Sequence, residues 1–235
     1  MNCGNFGKII LFNILGAALF LSWYIPGRSG FWFAIDKDIF YYFNDLLPVN
    51  EAFMYFVAFV NLRPFDAVAF LAMLAIFYTY YRKQDARGKR KMFCIGVAML
   101  LSAVIVKQIT VMMPVHHPSP TKFFENVNLV SQLSGWKTKD GSGDSFPGDH
   151  GIMLLIFSVY MWKYFGCRAF LKCLAVFLIF SLPRIMGGAH WFTDVAVGSV
   201  SVACVVMSWI LLTPAADFVV GKLQGYVPEK WFMKK

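Results

Sequence analysis

Charge is the scarcest property of this 235-residue chain: Asp, Glu, Lys and Arg make up 15% of it, where soluble domains carry about 25%. With 58% of residues hydrophobic, there is more apolar surface than one water-exposed fold of this length can bury, which excludes a soluble domain. Acidic residues are few, and Asp140, Asp144 and Asp149 are spaced too irregularly for a magnesium cage. The five cysteines fall in the membrane or on its cytoplasmic side in the topology below. They lack nearby metal ligands, so neither a zinc site nor a disulfide is expected. No internal repeat, low-complexity tract or long soluble insert is visible, which points to a single domain over 1–235.

What is abundant is apolar sequence. A bilayer-crossing helix takes about 20 apolar residues, and such runs lie near 9–25, 65–81, 92–113, 151–165, 169–187 and 193–213. The expectation is an all-α polytopic membrane protein with six transmembrane helices. Lys8 ahead of the first run is reminiscent of a secretory signal, yet no clear small-residue cleavage site follows, and Trp23, Tyr24 and Pro26 suit an interfacial end. The run therefore reads as a retained anchor. Basic residues set the orientation. Arg82, Lys83, Arg87, Lys89, Arg90 and Lys91 share one side with Lys8, Lys163, Arg168, Lys172, Lys222, Lys230, Lys234 and Lys235, and the positive-inside rule makes that side cytoplasmic. Both termini are then cytoplasmic, and the 114–150 connection faces the periplasm. The formal net charge of +9 follows from this topology and from affinity for anionic lipid, and implies no nucleic acid.

The remaining polar residues gather on the periplasmic side. Residues 114–150 form a long Pro-, Gly- and Ser-rich connection that ends in Asp144-Ser145-Phe146-Pro147-Gly148-Asp149-His150 and runs into the fourth span. Between the fifth and sixth spans lies Arg184 through Asp194. If the sixth helix starts here, His190 and Asp194 share a helical face, and the carboxylate orients one imidazole nitrogen while the other attacks phosphorus. The bland reading is a His-Asp pair capping a helix, with Arg184 snorkelling to the interface. Arg184 otherwise offers a planar fork to phosphate oxygens. Pro147 suits a first helical turn, with the amides of Gly148 and Asp149 free to cradle an anion and His150 placed as general acid. Ser145 and Asp149 serve either as phosphate contacts or as caps of that helix. Lys107, inside a span, either reaches phosphate or snorkels. Arg63 and Asp66 either hold an anionic head group or, by preference, pair with each other at a helix start. The aromatic-rich stretch 31–62 is expected along the interface, guiding lipids to the site.

At these residues the chain resembles the type 2 phosphatidic acid phosphatase superfamily. That family's third motif, Ser-Arg, five residues, His, three residues, Asp, is similar to Pro183-Arg184 through His190 to Asp194, with only the leading Ser replaced. Its second motif, Pro-Ser-Gly-His, resembles Pro147-Gly148-Asp149-His150. Its first, Lys, six residues, Arg-Pro, is degenerate: His117-Pro118 stands for Arg-Pro, and Thr110 holds the lysine position, with Lys107 one turn earlier. The stretches 19–26, 144–150 and 188–194 look closest to the branch that phosphorylates lipid A. The resemblance implies an acid-phosphatase-like helical bundle in the bacterial inner membrane, with no metal and no cofactor. It implies transfer of the terminal phosphate of undecaprenyl diphosphate to the 1-phosphate of lipid A through phospho-His190. Water in place of lipid A would make the same residues a phosphatase, whereas a lipid transporter predicts polar residues scattered through the spans. A small regulatory membrane protein stays open as a partner.

Overall fold

The computed structural model describes residues 3–233, so Lys234 and Lys235 of the basic tail lie outside the described residues. Helices account for the regular structure: α1 Cys3–Tyr24, α2 Phe31–Val49, α3 Glu51–Val60, α4 Phe65–Tyr81, α5 Ala86–Val111, α6 Pro120–Phe123, α7 Val130–Ser134, α8 Asp149–Phe165, α9 Cys167–Met186, α10 Asp194–Leu212 and α11 Ala215–Tyr226. Among the described residues an isolated Leu62–Thr138 bridge is the only β pairing. Caps fix two of the helix starts. Asn50 Oδ1 accepts from Phe53 N–H at 2.9 Å, and Asp85 Oδ1 accepts from Gly88 N–H at 2.8 Å.

Four helices, Gly4–Tyr24, Ala86–Val111, Cys167–Met186 and Asp194–Leu212, are long and apolar enough to cross a membrane. The other two runs expected to span form α4 and α8, each 17 residues. Large apolar side chains stand exposed along these helices: Ile14 and Leu15 on α1, Phe70 and Leu71 on α4, Val104 and Ile105 on α5, Leu178 and Ile179 on α9. Such a belt suits lipid as solvent and would aggregate in water. Behind it, α5, α8, α10 and α11 share a core that includes Ile95, Val106, Ile156, Met161 and Met207.

The hairpin of α8 and α9 positions everything that follows. Gly166 joins the two helices with φ +83° and ψ −177°, a backbone region essentially reserved for glycine. A single turn residue brings the helices back antiparallel, so the start of α8 and the end of α9 meet at one end of the bundle. The opposite end holds the basic residues, partly neutralised in the pairs Arg87–Glu229 and Lys163–Asp217.

Neither α2 nor the 114–150 connection is a loose surface element. The buried residues of α2, Asp36, Phe40, Asn44 and Leu47, recur at helical spacing and make one face. Asn44 Nδ2 donates to the Asn128 carbonyl at 2.8 Å, and Asn128 N–H donates back to Asn44 Oδ1 at 3.0 Å. The aromatic stretch therefore pins the connection, a packing role that its composition did not reveal.

A Cβ at Gly166 meets nothing within 4 Å, so the cost of Gly166→Ala comes from backbone strain alone. The substitution is expected to destabilise the protein by about 1–3 kcal/mol, seen as a lower thermal midpoint in detergent. An unchanged midpoint would show that the hairpin does not need this conformation.

Candidate active site

Two turns bring His190 into place. The end of α9 is closed by Ala189 N–H and His190 N–H, which both donate to the Arg184 carbonyl, at 3.0 and 3.1 Å. Gly188 takes φ +70° between them, and its carbonyl accepts from the Thr121 hydroxyl at 3.1 Å. His190 is thus in the connecting turn, ahead of α10, and not on a helical face with Asp194 as the four-residue spacing suggested.

The pair still meets, because Asp194 reaches back from the first turn of α10. Its Oδ2 accepts from Trp191 N–H at 2.9 Å and lies 3.1 Å from His190 Nδ1, while Oδ1 lies 3.1 Å from His117 Nδ1. The Asp194 side chain is fully buried, and the three contacts just named, to two rings and one backbone amide, satisfy it there. His190 Nδ1 also lies 3.0 Å from the Ser145 carbonyl. Both of its neighbours are acceptors, so Nδ1 carries the proton and Nε2 keeps a lone pair. Among the described residues His190 Nε2 is one of three buried side-chain nitrogen or oxygen atoms without a hydrogen-bond partner. An oriented imidazole with a free basic nitrogen is what a nucleophile requires.

A second carboxylate organises the other cations. Asp66, in the first turn of α4, pairs through Oδ1 with Arg184 Nη2 and with His150 Nε2, the latter at 3.0 Å. Arg184 is 3% exposed, and its Nη1 donates to Asn61 Oδ1 at 3.4 Å. Asn61 in turn donates to the Pro183 carbonyl at 2.8 Å. The preferred Arg63–Asp66 pairing is therefore corrected: α4 packs on α8 and α9 and aims Asp66 at their ends. Asn61 carried no signal in the sequence beyond being a polar residue before a span.

His190 lines a cavity of about 220 Å³ together with Lys107, Lys139, Asp144, Ser145 and Asp149. Lys107 does reach it, with Nζ 2.9 and 2.7 Å from the two oxygens of Asp149. Neither expected cap of α8 is a cap. Pro147 precedes the helix, whose N-cap is Gly148 with no side-chain bond. The Ser145 hydroxyl donates to the His117 carbonyl at 2.9 Å, and Gly148 N–H donates to the Asp194 carbonyl at 2.9 Å. Gly148 and Ser145 are thus spent on shaping the loop, and the amides available to an anion begin at Asp149, in the first turn of α8.

His117 stands on the far side of Asp194 and lines a second cavity of about 330 Å³ with Trp23, Arg28, Asp36, His116 and Trp191. Trp23 stacks on Phe146 with ring centroids 4.2 Å apart, so the end of α1 braces the segment before α8. The Asp36 side chain accepts from Thr193 N–H at 2.9 Å and from the Thr193 hydroxyl. Burial pushes its carboxyl up from 3.8 to about 6, against the lowering effect of those two bonds.

The PAP2 superfamily profile matches residues 91–217. The chain belongs to the PAP2 superfamily. The PAP2 match covers Lys107, His150, Arg184, His190 and Asp194, but neither Asp36, Asn61 nor Asp66. Lipid A 1-diphosphate synthase of Escherichia coli (strain K12) is 48% identical over 227 residues, covering 96% of each chain. No solved structure matches the chain.

The raised Asp36 carboxyl has a signed consequence for stability. Between 3.8 and about 6 the folded chain binds a proton that the unfolded chain has released, so stability declines as pH rises through that window and levels off above it. Asp36→Asn keeps an acceptor for Thr193 N–H and replaces the acceptor of the Thr193 hydroxyl with an amide donor, and is expected to flatten the decline. Thermal midpoints of both proteins from pH 4 to 7 check this; parallel curves would assign the titration to another group.

Proposed function

We propose that this chain is a lipid phosphotransferase that moves the terminal phosphate of undecaprenyl diphosphate to the 1-phosphate of lipid A through a phosphohistidine at His190. The unpartnered, lone-pair-bearing Nε2 of His190, with Nδ1 held by two acceptors, carries this reading. The 48% identity to lipid A 1-diphosphate synthase of Escherichia coli (strain K12) supports the choice of acceptor.

In the first half, Nε2 attacks the terminal phosphorus, the bond to the bridging oxygen breaks, and undecaprenyl phosphate leaves. Asp194 stabilises the positive charge that His190 gains, as the carboxylate of a nucleophile–acid pair does. His150, its Nε2 held 3.0 Å from Asp66 Oδ1, gives a proton to the departing oxygen. Arg184 and the first-turn amides of α8 offset charge on the transferring phosphoryl group. In the second half, an oxygen of the lipid A 1-phosphate attacks the same phosphorus, His150 takes its proton back, and the N–P bond breaks to give lipid A 1-diphosphate.

The same reading places one domain, residues 1–235, in the bacterial inner membrane with six crossings. The four long helices supply four of them, and α4 and α8 lie at the short end of the spanning range of about 17–25 residues. The basic end, with both termini, faces the cytoplasm, and the 114–150 connection brings the site to the periplasmic surface.

Undecaprenyl diphosphate labelled at its terminal phosphate tests the reaction in detergent. Label is expected on lipid A with the native chain and on neither product with His190→Ala. Label released only as free phosphate would make the chain a phosphatase, and label left on the donor would remove undecaprenyl diphosphate as substrate. Asp194→Asn leaves the shape and removes the anion that fixes the His190 tautomer, so transfer is expected to fall about 10⁴-fold. A fall of less than tenfold in a turnover assay would deny Asp194 that role.

A further inference from the structure

We propose that Lys139, from the connection between α5 and α8, binds the phosphate that His190 attacks, supplying the positive charge that the first motif lacks. The proposal rests on the phosphotransferase reading above and adds a residue to it.

The cavity that His190 lines has two lysines on its wall, Lys107 and Lys139, and the charge of a third cation, Arg184, acts on Lys139. Two of these three cations are already committed. Arg184 is held by Asp66 and Asn61, and Lys107 by both oxygens of Asp149. Lys139 makes no ion pair among the described residues, although it is half-buried. Aspartates near it in sequence are occupied elsewhere. Asp140 accepts from Ser131 N–H at 3.1 Å and from the Thr138 hydroxyl at 2.5 Å, and Asp144 accepts from His117 N–H at 3.1 Å.

Lys139 is also held in place by backbone, unlike an ordinary surface lysine. The neighbouring Thr138 forms the isolated bridge with Leu62, and Lys139 N–H donates to the Asn61 carbonyl at 3.5 Å. The segment to which it is pinned, 61–66, supplies both side chains that hold Arg184. Burial, and next the charge of Arg184, hold the Lys139 ammonium below the usual lysine range. A half-buried, pinned ammonium near a guanidinium is unfavourable when the carboxylates that reach it, Asp149 and Asp66, are already paired with Lys107 and Arg184. A bound phosphate dianion would relieve both costs. The first motif cannot provide this charge itself: Thr110 stands at its lysine position and donates to the Lys107 carbonyl, while His117 at its arginine position is turned to Asp194.

Lys139→Met and Lys139→Arg in the full-length protein test this by two measurements. One is the steady-state dependence of transfer on undecaprenyl diphosphate, and the other is equilibrium binding of orthovanadate, a phosphate analogue that needs no lipid. Lys139→Met is expected to raise the donor KM and weaken vanadate binding by about ten- to a hundredfold, with an unchanged thermal midpoint. Lys139→Arg is expected to recover most of both. If Lys139→Met binds vanadate as tightly as the native chain, Lys139 is a solvated surface cation and the proposal falls. If Lys139→Arg is as impaired as Lys139→Met, the lysine acts through local structure and the proposal falls as well. Should the native chain bind vanadate, lose that binding in Lys139→Met alone, and still leave undecaprenyl diphosphate untouched, the donor is wrong and Lys139 stands.

Discussion

A carboxylate with no exposed surface must find hydrogen bonds or lose its charge, and Asp194 finds them by drawing two separate segments together. The ring of His190 and the Trp191 amide come from the turn after α9, and the ring of His117 from the connection after α5. The carbonyl of the same residue accepts from Gly148 and so fastens the beginning of α8. The mouth of the bundle is arranged around a single buried anion, and the orientation of the His190 ring is a by-product of satisfying it.

Asp66 does the same for the cations. Without it, Arg184 would lie 3% exposed next to a second positive group with nothing to balance it. Because Asp66 is on α4 and Arg184 on α9, the electrostatic requirement also fixes how those helices pack. Asn61 adds the remaining acceptor for Arg184 and ties it to the Pro183 carbonyl. The buried Asp36–Thr193 contact plays the corresponding part for α2, gripping the residue next to Asp194.

What was legible in the sequence follows from the range of the interactions. Apolar runs gave the helices, because spanning length is a local property, and the spacing from Arg184 to Asp194 gave the His190–Asp194 contact, because those residues are close in the chain. Asp36, Asn61, Asp66 and Lys139 could not be read in that way. Each acts through a partner 45 to 157 positions distant or through a backbone contact made only in the folded chain, as with Asp36 and Thr193, 157 apart. The reading of Ser145 and Gly148 as phosphate contacts rests on their place ahead of a helix start, and the fold turns their donors inward to His117 and Asp194. His190 was assigned to a helical face because spacing alone cannot distinguish a helix from the turn leading into it.

The departures from the first and second motifs compensate each other. Where the second motif has glycine, this chain has Asp149, and a bare carboxylate beside a phosphate site would repel the substrate. Lys107, one turn before the motif position, covers that charge at 2.7 Å, so the pair contributes little net field to the cavity. The lysine that replaces the motif residue is thereby consumed, and the attraction for phosphate has to come from elsewhere on the wall. Lys139 is a cation on that wall without a carboxylate of its own, and its backbone is fastened to the strand of residues that also holds Arg184. A carboxylate gained in one motif and a cation displaced in another are in this way one change in the charge of the site, legible only when the three segments are seen together.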